Sequence, residues 1–309
     1  FTRRSVSRER ERMASTSSNV SSLFLGVIAI ILLFLCSVVC SHPSNHHSWQ
    51  SFRTLSGCNL GERRPGLADL KRYLHHFGYL KGSTPTGDDN YTDDFDAELE
   101  SAVIAYQNFF NLTLTGRLDA PTLHHITAPR CGLPDLNVVI NGTATFDRRR
   151  SLYSFFDGRP AWRKRRLQYA FTSMAGAPSN RAALRMLFAR AFDRWSAVTP
   201  LSFSETSLGN NADITIAFAG LDGPGNYLAW AYAPTDGRMI IDKDEKWRVQ
   251  GGLYDLESVV THEIGHLLGL YHSQDARAIM FPKIPPGTRK VALSMDDMSG
   301  IRVLYPRGP

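Results

Sequence analysis

The sequence predicts an α+β protein in two parts, a small helical domain followed by a larger domain of mixed strands and helices. Apolar residues keep a helical period over residues 48–128, while strand and helix patterns alternate from Leu167 onward. Between them, residues 136–166 are polar and basic, with Gly142, Gly158 and Pro160, and read as a link. A chain of 309 residues is long enough for both parts to have real cores.

Leu67, Leu70, Leu74 and Phe77 share one helical face, and Gly78 supplies a stop. The acidic run Asp93-Asp94-Phe95-Asp96 opens a second helix, whose apolar face is Leu99, Ala102, Val103, Tyr106 and Phe110. Asp119-Ala-Pro-Thr opens a short third. In the second part Leu167–Phe171 reads as the first strand. A helix from about Arg181 to Ala197 follows, with Leu184, Leu187, Phe188, Phe192 and Trp195 on one face. Further strands are expected at Leu201–Glu205, Asp213–Phe218, Tyr227–Ala233 and Met239–Ile241. A helix from about Leu256 to Leu268 and a last one over Met295–Leu304 complete the order.

The chemistry is concentrated in His262-Glu-Ile-Gly-His-Leu-Leu-Gly-Leu-Tyr-His272. His262 and His266 are four apart, so on a helix they lie on one face and can share a metal ion. Glu263 beside them is placed to take a proton from a metal-bound water. Gly269 can take the left-handed conformation that ends a helix and lets the chain present His272. Three neutral imidazoles leave a tetrahedral zinc one open position, which is the catalytic arrangement. Met280, in Ala-Ile-Met-Phe-Pro, completes a pattern that resembles the metzincin signature with its Met-turn.

Pro129-Arg-Cys-Gly-Leu-Pro-Asp135 narrows this further, since it resembles the cysteine switch of the matrix metalloproteinases. A thiolate is a good zinc ligand, so Cys131 can fill the open position in a latent form. The resemblance covers residues 50–309. It implies a zymogen whose catalytic domain is a twisted, mixed five-stranded sheet with three helices, similar to that of the matrixins. Phe52–Leu80, with Thr115-Gly-Arg-Leu-Asp119, resembles the propeptide of plant matrix metalloproteinases and the helical peptidoglycan-binding-like fold. It also implies an upper cleft rim around Leu228 and Ala229, binding an extended peptide as an added strand, and a pocket wall at Pro282–Ile284.

The chain departs from the family at a second, structural zinc. The loop that carries a His and an Asp in the family is shortened to Ala219-Gly-Leu-Asp222. Trp230 and Ile240 align with the two remaining ligands, both His. One zinc is therefore expected rather than two. The family's calcium ligands match Asp222, Asp242 and Glu245, hard oxygen donors that suit Ca²⁺. Solvated acids beside a turn are the alternative.

Charge and targeting bound the rest. The net charge is +6, but residues 1–12 and the clusters Arg148–Arg150 and Arg163–Arg166 more than account for it. The remainder is net acidic, with no basic stripe, which argues against nucleic acid as a partner. Residues 1–12 read as a translated upstream extension and 13–41 as a signal peptide, with the apolar run Leu23–Val39. A signal anchor is the rival, and no terminal lipid-anchor tail is expected. Residues 42–135 then form the propeptide and 167–309 the catalytic domain; in the linker Arg148–Arg150 reads equally as a site for an activating protease or as solvated surface, while Arg163–Arg166, which abuts the first strand, reads as solvated surface. Cys58 and Cys131 alone survive signal removal, and the sequons at Asn90, Asn111 and Asn141 suit a secreted glycoprotein.

The expected function is thus a secreted zinc endopeptidase acting on extracellular proteins. The competing expectation is a degenerate relative that only binds partners.

Overall fold

The computed structural model describes residues 48–81, 91–136, 152–207, 209–249 and 252–306. The expected extension and signal segment, Asn90, Asn141, Gly142 and Arg148–Arg150 lie outside them. No helix among the described residues is long and apolar enough to cross a membrane.

The helical part opens with a 3-10 turn, Trp49–Leu55, followed by α1 (Leu67–His76), α2 (Ala97–Phe109) and α3 (Ala120–Ile126). The carboxylates of Asp96 and Asp119 accept the Leu99 and Thr122 amides at 2.8 Å each, capping α2 and α3. Leu67, Leu70, Leu74 and Phe77 pack with Phe52, Val103 and Tyr106 in one apolar core. Gln107 is buried beneath the Thr115–Asp119 turn. Its carbonyl accepts the Thr115 and Gly116 amides at 3.0 Å, and its amide donates to Thr122 Oγ1 at 2.9 Å. That network accounts for the polar residues of the turn.

The second part is a sheet of β1 (Arg130–Cys131), β2 (Arg166–Ser173), β3 (Ser202–Glu205), β4 (Ile214–Ala219), β5 (Tyr227–Ala231) and β6 (Arg238–Asp242). Their order is β1-β5-β6-β4-β2-β3. The neighbours among β2, β3, β4 and β6 pair in parallel, while β5 runs antiparallel to β6. These are the five expected strands. The sixth, β1, is the segment around Cys131, and it extends the β5 edge in parallel. β7 (Trp247–Arg248) and β8 (Tyr254–Asp255) form a separate pair.

Three helices complete this part: α4 (Arg181–Ser196), α5 (Leu256–Leu267) and α6 (Met295–Leu304). α4 lays Leu184, Leu187, Phe188, Phe192 and Trp195 into the sheet core, each large side chain contributing about 1.5–3 kcal/mol. Trp195 Nε1 donates to the Thr261 carbonyl at 2.9 Å, tying α4 to α5. Every residue of α5 is buried, so this helix runs through the interior and holds its polar side chains in a fixed frame.

Candidate active site

α5 brings His262 and His266 onto one face, with their Nε2 atoms 3.0 Å apart. At its end Gly269 has φ +99°, and a side chain there would meet the Pro160 carbonyl at 2.2 Å. Only glycine permits that reversal. The returning chain sets the His272 ring 5.4 Å from that of His262 and 4.9 Å from that of His266, centroid to centroid. Cys131 enters from β1, its Sγ 3.5 Å from His266 Nε2.

The ligand atoms of Cys131, His262, His266 and His272 all lie within 4.8 Å of one another, and all four residues are buried. A tetrahedral zinc with bonds of about 2.0–2.3 Å separates its ligands by roughly 3.3–3.8 Å, so this donor set fits that ion. His262 Nδ1 donates to the Ile279 carbonyl at 2.7 Å and His266 Nδ1 to that of Leu270 at 2.9 Å. Each ring thereby keeps its Nε2 lone pair for the centre. His272 Nε2 and both carboxylate oxygens of Glu263 are buried with no hydrogen-bond partner. Buried polar atoms rarely stay unpaired, so the centre is built for something that pairs them.

Burial sets the protonation states. It holds His262, His266 and His272 below the usual histidine range, hence neutral and able to ligate; the Asp135 carboxylate partly opposes this at His272. Burial also lifts Glu263 to about 8, well above the ordinary carboxylate range. The Cys131 thiol is pushed up by burial and by Glu263.

The Cys131 segment is locked in place around a fully buried guanidinium. Arg130 lies over the Phe77 ring at 3.6 Å and forms a two-pronged pair with Asp135, one arm at 2.8 Å. Tyr79 donates to the same carboxylate at 2.6 Å, and Asp135 Oδ1 stands 3.0 Å from His272 Nδ1. Burial alone would raise the Asp135 pKa, but Arg130 outweighs it and holds the carboxyl well below its ordinary range.

Two backbone segments flank β1. On one side the Gly132 amide donates to the Ala229 carbonyl at 2.9 Å, with Leu228 buried behind it. On the other the Cys131 amide donates to the Pro282 carbonyl at 2.9 Å, and Ile284 is buried alongside. Arg130 also bridges Lys283 in antiparallel fashion. Leu228, Ala229, Pro282 and Ile284 thus stand where an extended chain is already seated.

Asp222, Asp242 and Glu245 are all buried. The Asp222 and Glu245 carboxylates accept the Tyr227 and Gly225 amides at 3.2 and 2.6 Å. Burial pushes both to about 7, and the Asp242 charge adds to the rise. Asp242 Oδ2 is buried without a hydrogen bond. At the expected lost zinc site, Trp230 pairs with Ile240 across β5 and β6. The Trp230 ring also packs on Gly132, where a Cβ would come within 2.6 Å of it.

Several residues escaped the sequence reading. Gly265 is one: a Cβ there would fall 2.2 Å from Met280 Sδ, so the methionine sits directly against the helix that bears His262 and His266. Asp297 is another; its carboxylate accepts the Ile279 and Met280 amides at 2.8 and 3.1 Å and fixes the Met-turn. The i,i+3 pairing of Ser294 with Asp297 was a visible capping signal, but its reach to Met280 was not.

Comparison with known proteins agrees with this site. The matrixin peptidase profile matches residues 161–306, and a peptidoglycan binding domain profile matches residues 63–126. Metalloendoproteinase 5-MMP of Arabidopsis thaliana is 44% identical over 294 residues, covering 86% of this chain and 78% of that one. Metalloendoproteinase 1 of Glycine max is 40% identical, covering 92% and 97%. Stromelysin-1 of Rattus norvegicus is 34% identical, covering 89% and 54%. With three histidines and a cysteine converging on one buried centre, and with relatives of this closeness, the chain belongs to the matrixin family as a plant-type zinc metalloendopeptidase.

Proposed function

We propose that the protein is made as a secreted precursor and held latent by its own cysteine. In this reading residues 13–41 direct export, 42–135 are the propeptide, 136–166 the activation linker and 167–309 the catalytic domain. His262, His266 and His272 hold the zinc, and Cys131 is its fourth ligand until the propeptide leaves. The observation that carries the proposal is the Cys131 sulfur, buried 3.5 Å from His266 Nε2 on a strand that fills the cleft.

Once bound, zinc supplies Lewis-acid polarisation of the scissile carbonyl and of the attacking water. The rest falls to the chain. Glu263, neighbour of His262 and without another partner, takes the water's proton and returns one to the leaving amine. The β5 backbone at Leu228–Ala229 and the Pro282–Ile284 wall bind the peptide as an added strand, as they bind β1 here. Met280 and Gly269 support the ligands from below and from the turn. The buried acids Asp222, Asp242 and Glu245 are assigned to Ca²⁺, which would offset their mutual repulsion; a rise in melting temperature with added Ca²⁺ checks this.

The full chain and its Cys131→Ser and Glu263→Ala variants test the reading with a quenched extracellular-matrix peptide. Cys131→Ser should be active without maturation. Glu263→Ala should keep its zinc and lose turnover by about 10²–10⁴-fold. A latent Cys131→Ser chain would remove the switch from the account, and an undiminished Glu263→Ala would remove the general base.

A further inference from the structure

Lys283 stands between Pro282 and Ile284 on the cleft wall, yet it is only 4% exposed. Its ammonium donates to three backbone carbonyls: His125 at 2.6 Å, Ala128 at 3.1 Å and Ile126 at 3.5 Å. These are the last residues of α3 and the turn beyond it, where a helix leaves carbonyls unpaired and carries the negative end of its dipole. Phe110, with its ring centroid 5.8 Å from Nζ, also belongs to the helical part. Arg130 and Asp135, the two charges that act on Lys283 through space, lie just beyond it, still within residues 42–135. The other cation on this wall, Lys290, is held by the Ala278 carbonyl at 2.6 Å. Among the described residues, each acceptor that Lys283 uses therefore lies in the segment read above as the propeptide.

We propose that Lys283 is a specificity-determining residue: it caps α3 in the precursor and, after maturation, binds a carboxylate side chain of the peptide substrate. This rests on the reading of residues 42–135 as a removable propeptide. A cation stripped of all its acceptors does not stay buried, and the long lysine stem lets the ammonium swing into the cleft beside Pro282. Arg130 bridges Lys283 while its neighbour Cys131 lies at the metal centre. A peptide seated in place of β1 therefore passes this ammonium one or two residues from the bond being cut.

The test matures the full chain by limited trypsin cleavage, for wild type and Lys283→Gln. Isosteric peptide pairs carry Glu or Gln at each of the two positions on either side of the scissile bond. At one of these positions the wild type should prefer Glu by about three- to fivefold in kcat/KM, less so as salt is raised. The Glu/Gln ratio should fall to near one in Lys283→Gln, and because it is taken within each protein, a general loss of activity cancels. A ratio near one in the wild type, or a preference that survives the substitution, overturns the proposal. Should the wild type cleave no peptide at all, the protease reading is what fails. Labelling of wild-type chain with an amine-reactive ester then reads Lys283 by itself through mass spectrometry. Protection before maturation and modification after it support the cap; equal modification in both refutes it.

Discussion

Met280 acts by occupying space. Its sulfur lies where a Cβ on Gly265 would have to go, and Trp195 closes the same gap from α4, 3.1 Å from that position. The helix carrying His262 and His266 can therefore sit low on the Met-turn only because residue 265 has no side chain. Gly265→Ala favours the helix locally by about 1 kcal/mol but overpacks this contact, at a cost of about 1–3 kcal/mol. The net expectation is a lower melting temperature together with weaker zinc retention in a chelator competition. A stabilised variant with unchanged zinc affinity would show that Met280 yields. The clustering of the three histidines was legible in the sequence because their spacing is local, one turn of helix and one glycine reversal. Gly265 was not, because what fills its missing side chain comes from fifteen residues further along and from another helix.

α5 is aimed from its first turn. Glu257 is 2% exposed and accepts from Arg190 at 2.8 Å, Arg194 at 2.6 Å and Arg289 at 3.0 Å, joining α4 and the segment before α6 to the helix that bears the histidines. Burial would raise its pKa, but the hydrogen bonds from Arg190, Arg194 and Arg289 prevail and bring it down to about 2. A depressed folded-state pKa gives stability that is full above the unfolded value near 4.5 and is lost as pH falls from there toward about 2. Stability should accordingly decline below about pH 4.5. Glu257→Gln should flatten that decline and cost about 1–3 kcal/mol at pH 7, discounted because the arginines are partly exposed. Denaturant midpoints for both proteins at pH 7 and pH 3.5 check this; parallel slopes would show that other carboxyls govern the acid limb. The sequence placed α4, α5 and α6 well, since each shows a helical period and a start signal. It gave no hint of Glu257, whose partners lie 63 and 67 residues before it and 32 after.

At the scale of the molecule, the two parts anticipated from periodicity are present, but their boundary is less sharp than a linker implies. The Cys131 segment is itself a strand of the larger sheet, and Tyr227 and Phe281 pack into the helical core from the other side. A two-residue strand has too little pattern to be read from sequence; its pairing exists only because β5 offers an edge. The join depends on Arg130. Its guanidinium is fully buried between Phe77 and Asp135, and Asp135 in turn touches Tyr79 and His272. Arg130→Ala would leave the Asp135 carboxylate buried without its counter-charge, a loss of about 3–5 kcal/mol. That penalty applies only while the two parts are docked, so undocking is the way the molecule relieves it. The variant should therefore expose Cys131 to a thiol reagent faster than wild type and, on the reading proposed here, lose latency without any cut in the linker. Arg130→Lys, which keeps the charge but lacks the two-pronged geometry, should fall between them. If Cys131 in Arg130→Ala reacts no faster than in wild type, the docking energy resides in the aromatic contacts around Trp49, Tyr227 and Phe110 instead.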